Sequence, residues 1–312
     1  MTASVLEKLR SAGIVSVVDF VSHDPDVLAT KSGVSYRELA AIRRVLITEN
    51  AAPVVGGSSL FDVVVATTSI VSVGCRALDN LLEGGILTGE ITEVVSDRSA
   101  ISHTFLLNTI LTVVTTMSKN VVLIDISNRF DAGSFAGMLA SQPNVDDVEN
   151  ALKRVRVVKC FDVLELFSKL SMLCEASSLS SDSFYSSVKL IVIDGTVDSI
   201  LPSLGHMQSN AGCGYVAQIV HQLRLLTTDF CYAVLLCNSD GFMPLSKNAS
   251  STRPTPVGRL WRSVPDTRLD IVDITGENAD NCVTDNRTKS RQLKVTVNKS
   301  NRLPVGSSSV LN

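Results

Sequence analysis

Gly89-Glu90-Ile91-Thr92-Glu93-Val94-Val95 runs into Ser96-Asp97-Arg98-Ser99-Ala100-Ile101-Ser102-His103-Thr104, and from Phe105 the chain is again largely apolar. A strand, a short polar loop and an apolar helix in that order frame a phosphate-binding loop, G-x-x-x-x-G-K-[ST]. Such a loop depends on particular residues. Glycines let backbone N–H groups converge on phosphate, a lysine neutralises charge, and a hydroxyl holds magnesium. Residues 96–104 contain neither glycine nor lysine. An ungapped reading puts Ser96 and Ile101 on the glycine positions and Ser102 on the lysine. One extra residue puts His103 on the lysine and Thr104 on the hydroxyl. In either register Cβ atoms hinder the backbone and Asp97 adds a repelling charge, while Arg98 supplies charge without the glycine geometry. The segment reads as a strand–helix connection that kept its topology and lost its ligand.

The same alternation continues outward. Strands are expected over 90–95, 121–126, 155–160, 188–194 and 232–238, with helices over 102–117, 132–140, 163–176 and 215–228 between them. Long apolar strands separated by helices mean βαβ crossovers and a mainly parallel sheet covered on both faces, an α/β fold. Apolar runs at 268–274 and 292–299 flank a polar stretch and suggest a terminal hairpin. Val188-Lys189-Leu190-Ile191-Val192-Ile193-Asp194 ends in a carboxylate at the edge where such sheets bind ligands and where a magnesium-associated aspartate would stand. A cap or turn role for Asp194 is equally open. Asp125-Ile126-Ser127-Asn128 ends another strand and offers no catalytic glutamate. Asn238 ends a further one, as a sensor-like amide or a solvated one.

Residues 1–50 read as a separate helical module. Val5, Leu6 and Leu9 fall at helical spacing, blocks follow at 15–20 and 27–29, and 36–47 forms a longer basic amphipathic helix. Ser35 and Glu38 have capping-box spacing, and Gly33 supplies the preceding turn. The pattern suggests a helix-hairpin-helix-like bundle or a small protein-interaction module. Residues 51–73, with Pro53, Gly56, Gly57, Ser58 and Ser59, read as a linker, and 74–312 as the core.

The 312 residues carry 28 Lys+Arg against 31 Asp+Glu, a net charge of −3, and are 45% hydrophobic. That composition excludes disorder as the main state. It also argues against a protein that coats duplex DNA by charge alone. The apolar runs are strand-length, which argues against a membrane span. Met1–Arg10 has no secretory-signal pattern. Seven cysteines without a C-x-x-C read as free thiols of a reducing compartment.

Gly74-x-x-x-Leu78-Asp79-x-Leu81-Leu82-x-Gly84-Gly85-Ile86-x-Thr88-Gly89-Glu90-Ile91-Thr92-Glu93 resembles the opening of the ATPase core of the eukaryotic RecA/RadA recombinase family. Val17-Val18-Asp19-Phe20-Val21-Ser22, Gly33-Val34-Ser35-Tyr36 and Ala41-Ile42-Arg43-Arg44-Val45-Leu46 carry the likeness in the first module. Pro202-Ser203-Leu204-Gly205, Gly258-Arg259-Leu260-Trp261-Arg262-Ser263-Val264-Pro265-Asp266-Thr267-Arg268 and Lys299-Ser300-Asn301-Arg302-Leu303-Pro304-Val305-Gly306 continue it to the end. Within the family the chain is similar to the D-type paralogues of the strand-exchange recombinase.

The resemblance implies a RecA-like ATPase core, a mostly parallel sheet flanked by helices, preceded by a small helical domain. It implies a nuclear role in homologous-recombination repair, as a subunit of a recombinase-paralogue complex that helps the recombinase assemble on single-stranded DNA. One paralogue would bind the N-terminal module and linker, another the core, and single-stranded or branched DNA would be a further partner. The DNA-contacting loops would correspond to residues 204–214 and 239–257. Lys247 and Arg253 in the second are either phosphate contacts or solvated loop charges. Val55-Gly56-Gly57-Ser58 lies where recombinases carry an aromatic-x-x-Ala docking motif, with Val55 and Ser58 as a shallow anchor and Phe61 as an addition to it or to its own core. Lys294, Lys299 and Arg302 would either reach a neighbouring subunit's nucleotide or serve as surface-strand residues.

A degenerate nucleotide site would comprise Arg98, Ser102, His103, Thr104, Asp194 and Asn238, with magnesium on Asp194 if ATP binds. The family's catalytic glutamate falls at Ser127, and its phosphate sensor at Ser239. The expectation is therefore a non-catalytic or weakly nucleotide-binding subunit without ATPase activity of its own; the family resemblance leaves ATP/Mg open, and the loop favours none bound. The alternative is an active DNA-dependent ATPase with a rebuilt loop using Arg98, His103 and Thr104.

Overall fold

The structure is a computed structural model describing residues 3–14, 16–51, 55–143, 145, 147–179, 182–196, 209–239, 256–275 and 292–311. The chain forms two compact units, Met1–Val64 and Val65–Asn312.

The first unit holds α1 (Ala3–Ser11), α2 (Val17–Ser22), α3 (Pro25–Ser32), α4 (Tyr36–Asn50) and most of α5 (Gly57–Thr67). Local chemistry sets each boundary. Ser16 and Asp19 exchange side-chain bonds to each other's backbone N–H and start α2 with a capping box. Asp24 caps α3 ahead of Pro25 at its first position, and Gly33 ends it at φ +65°, the left-handed geometry glycine adopts without strain. The Ser35 hydroxyl accepts from Glu38 N and opens α4. Leu9, Ile14, Phe20, Leu28, Val34 and Leu39 form the unit's own buried core. The segment expected as a linker is more structured than its glycines suggest. Residues after Gly57 continue as α5, whose Leu60, Phe61, Val63, Val64 and Val65 are exposed.

The second unit begins with a two-stranded ladder of β1 (Ile70–Val71) and β2 (Ile86–Leu87), bridged by α6 (Arg76–Leu81). The elements β3 (Ile91–Ser96), α7 (Ser99–Thr115), β4 (Asn120–Asp125), α8 (Ala132–Ala140), α9 (Val148–Leu152), β5 (Val155–Lys159), α10 (Val163–Leu179), α11 (Ser183–Ser186) and β6 (Val188–Asp194) follow. Then come α12 (Ser209–Thr228), β7 (Ala233–Ser239), α13 (Pro256–Ser263), β8 (Thr267–Asp273), β9 (Leu293–Lys299) and β10 (Ser308–Leu311). One eight-stranded sheet has the order β10-β9-β8-β3-β7-β6-β4-β5. Its pairs from β8 to β5 are parallel, while β8–β9 and β9–β10 are antiparallel. The expected α/β fold with a terminal hairpin is the observed one.

Side chains alternate across the central strands of this sheet, apart from a register shift between Val188 and Leu190 at the start of β6. Val94, Leu123, Val192 and Leu235 pack with Ile101, Phe105, Leu106 and Ile110 of α7 on one face. Ile91, Ile124, Ile193 and Leu236 pack with Leu166 and Leu170 of α10, Leu223 of α12 and Trp261 of α13 on the other. Strands sandwiched this way are apolar on both sides, which is why they read as continuous hydrophobic runs. Among the described residues, no helix is long and apolar enough to cross a membrane.

Two glycines make opposite demands. Gly85 has φ +142°, and a Cβ there would overlap the Val71 carbonyl. Gly137, within α8, faces open space. Gly85→Ala is expected to destabilise the core by more than about 2 kcal/mol, whereas Gly137→Ala should stabilise it by about 0.5–1 kcal/mol. Urea midpoints of the two variants measure the contrast.

Candidate functional site

The carboxyl ends of β4 and β6 converge beside the N-terminal turns of α7. Asp194 closes β6 on the α7 face, since it is two and four residues beyond Val192 and Leu190, which pack there. Its carboxylate is 1% exposed, and both oxygens are engaged. Oδ2 lies 3.1 Å from His103 Nδ1 and accepts from the Ser127 hydroxyl at 2.6 Å, while Oδ1 accepts from Arg129 Nη2 at 2.8 Å. Arg129 Nε donates in turn to Ser127 Oγ at 3.0 Å. The loop carrying Ser127 and Arg129 is itself fixed. Asp125 accepts from the backbone N–H groups of Arg129 and Phe130, and the Ile126 and Ser127 amides bond to the Asp194 carbonyl. Four side chains from β6, α7 and the turn after β4 thus form one buried polar cluster.

Burial works to raise the Asp194 carboxyl. The hydrogen bonds from His103 and Ser127 and the Arg129 charge outweigh it and hold the carboxyl below its ordinary value. The aspartate is ionised, with its counter-charge inside the chain.

The other residues expected here go elsewhere. Arg98 pairs with Asp273 on β8 at 3.3 Å. The hydroxyls of Ser102 and Thr104 turn back onto α7, to the Ser99 and Ala100 carbonyls. Asn238 is not brought to the cluster, and strand register explains why. Asp194 pairs with Cys237, so Asn238, one residue later, points through the opposite face of the sheet. There its Nδ2 donates to Glu93 Oε1 at 2.9 Å.

The three cations expected to face a neighbouring subunit also divide. Lys299 Nζ donates to the carbonyls of Arg262, Ser263 and Pro265, capping the end of α13, and Arg302 binds the Leu82 and Gly85 carbonyls and Glu90. Both are committed within their own chain, while Lys294 is exposed on β9. Val55, Ser58 and Phe61 are exposed in the first unit. Lys247 and Arg253 lie outside the described residues.

Sequence reading missed Arg129 and Glu93. Arg129 carried a signal: a cation four residues past Asp125, at the same sheet edge as Asp194. Glu93 carried a stronger one, a carboxylate within an otherwise apolar strand, which folding can bury only with partners. The cysteines among the described residues are free, and burial pushes the Cys160 and Cys174 thiols up to about 11.

Removing the guanidinium in Arg129→Ala is expected to cost about 1.5–3 kcal/mol at pH 7, the usual loss for a hydrogen bond to a charged group. Asp194 has a depressed folded-state value, so its stabilisation is complete above the unfolded-state value of about 3.9 and is lost as pH falls through the folded one. The difference between wild type and Arg129→Ala should therefore shrink in acid, as read by denaturant unfolding at pH 7, 4 and 3.

Residues 1–49 match the family described as "RAD51D, N-terminal domain", and residues 65–281 match the Rad51 family. The chain is 31% identical over 307 residues to DNA repair protein RAD51 homolog 4 of Bos taurus, covering 98% of this chain and 90% of that protein. It is 29% identical to the protein of the same name from Mus musculus, covering 98% and 89%. DNA repair protein RAD57 of Saccharomyces cerevisiae is 24% identical, over 80% of this chain and 55% of that protein. With the RecA-like sheet and both modules matched in order, the chain belongs to the Rad51 family, as one of its paralogues.

Proposed function

We propose that this chain is a non-hydrolysing subunit of a nuclear recombinase-paralogue complex that promotes recombinase assembly on single-stranded DNA during homologous-recombination repair. The names of its relatives, DNA repair proteins of the RAD51 and RAD57 kinds, support the repair setting. One partner paralogue would dock on the first unit, through the exposed α5 and Val55–Phe61 region, and another on the core.

The observation that carries the reading is the occupied carboxylate of Asp194. Magnesium in a nucleotide site is held by carboxylate, hydroxyl, water and phosphate oxygens. Here the Asp194 oxygens are taken by the chain's own His103, Ser127 and Arg129, and its negative charge is already compensated. Loop residues 96–100 place side chains where a phosphate loop needs bare backbone. These residues do not fit a magnesium nucleotide. With Ser127 standing where the family carries its catalytic glutamate, a base to orient the attacking water is also missing from that position.

Titrating magnesium ATP into the purified chain tests the reading. A site at one hundred times its dissociation constant would stabilise the protein by about 2.7 kcal/mol, so millimolar nucleotide should leave the thermal midpoint unchanged. Saturable binding lost on both His103→Ala and Asp194→Ala would replace this reading with a DNA-dependent ATPase built on a new loop.

A further inference from the structure

The first unit carries two exposed apolar surfaces, one convex and one concave. The convex one is α5. None of its residues is buried. Leu60 and Val64 stand one turn apart, Phe61 lies beside them at 66% exposed, and Asp62, the helix's single charge, falls on the opposite side. Eleven residues are too few for a helix to be stable in water by propensity alone, and such a helix gains most of its stability by burying its apolar face.

The concave surface is a groove between α2 and α4. Val17, Val18, Val21, Leu46 and Ile47 line a hollow of about 430 Å³. A second hollow of about 140 Å³ continues it toward Leu6 on α1 and shares Val17 and Leu46 with it. Val18 on this wall is 73% exposed, and Leu6, Val17 and Ile47 are exposed too. Single exposed apolar residues are ordinary, but a continuous patch marks an interaction surface. The groove and most of α5 belong to the same compact unit, where α5 is exposed along its length. The helix therefore does not fill the groove of its own chain.

We infer that the unassembled chain pairs with a second copy of itself by reciprocal exchange, α5 of each copy lying in the α2/α4 groove of the other. The mode is an amphipathic helix in an apolar groove, with Leu60, Phe61 and Val64 as anchors. The occupant is a second copy because one chain holds both halves of the contact. Two copies related by a two-fold axis make it twice and close on themselves. The two contacts together bury on the order of 1,500 Å², the size of a specific protein–protein interface. A paralogue that takes α5 in an assembled complex displaces this second copy, so the dimer is a property of the chain alone.

Sedimentation velocity of the full chain from about 1 to 100 µM tests the pairing. The wild type is expected to reach the dimer mass. Phe61→Asp and Val18→Asp, both at exposed positions, should each raise the dimer dissociation constant by about a hundredfold or more, with thermal midpoints within about 3 °C of wild type. Exchange is read directly by mixing isotope-labelled Val18→Cys with unlabelled Phe61→Cys under mild oxidation. In that pair one contact carries both new thiols and the other is wholly wild type, so the partners stay together while the disulfide forms. Peptide masses should show position 18 of one chain linked to position 61 of the other. A wild-type chain that is monomeric throughout the range overturns the inference, including the case in which α5 folds back into its own groove. A dimer that survives Val18→Asp, or oxidation that gives 61–61 links in place of 18–61, overturns it as well by placing the contact elsewhere.

Discussion

A carboxylate at the carboxyl edge of a parallel sheet cannot be left alone. It is buried by the helices that cover the sheet, and an unpaired charge there would cost several kcal/mol. In a nucleotide-binding relative of this fold such a charge can be met from outside, by a metal ion and its phosphate. In this chain it is met from inside. Arg129 and His103 approach Asp194 from two different elements, and Ser127 completes the set. The ends of β4 and β6 and the start of α7 are held together by groups that are covalently part of the protein. The consequence is energetic as well as functional. A core whose edge depends on ligand is most stable when loaded, whereas one that carries its own counter-ions reaches that arrangement on folding.

This exchange accounts for the neighbouring substitutions. With the guanidinium of Arg129 compensating Asp194, the proposed function asks for no bare backbone between β3 and α7. Ser96 Oγ can then bond to the Arg98 carbonyl within the loop, and Arg98 can pair with Asp273. Ser127 is short enough to sit under the arginine, where a glutamate would place a second carboxylate beside Asp194 and repel it. The missing glycines, the missing lysine and the missing glutamate therefore have one physical setting in common: a sheet edge whose buried carboxylate has its partners within the chain.

Much of this architecture was legible because the sheet is covered on both faces. Strands with no solvent side appear as unbroken apolar runs, so β6 matches its expected bounds and the other central strands fall within a residue or two. Helix α8 also matches, with Asp131 capping it. What could not be read was register. Asn238 and Asp194 both end strands, and sequence places them at one edge. Only the pairing of Asp194 with Cys237 shows that they lie on opposite faces. α5 was hidden for a different reason, because Gly56, Gly57 and the serines after them resemble a linker while the following apolar run is exposed and so lacks a buried stripe. Short β10, alternating exposed and half-buried residues, gives too few positions for its period to declare itself.

The two buried carboxylates divide the work of the sheet. Asp194 draws in α7 and the turn after β4 on one face, and Glu93 draws in α13 and the end of β7 on the other. They sit on strands separated only by β7 in the sheet order. On the α7 face the Asp194 charge is balanced by the Arg129 guanidinium, with the His103 ring and the Ser127 hydroxyl beside it. On the other face Glu93 takes an indole and an amide on one oxygen, with Arg268 3.5 Å from the second. Hydrogen bonds to a planar indole tolerate less displacement than an ion pair, which loses energy gradually with distance. The two faces therefore share strands but not partners, so a change in the partners of one carboxylate leaves the hydrogen bonds of the other in place.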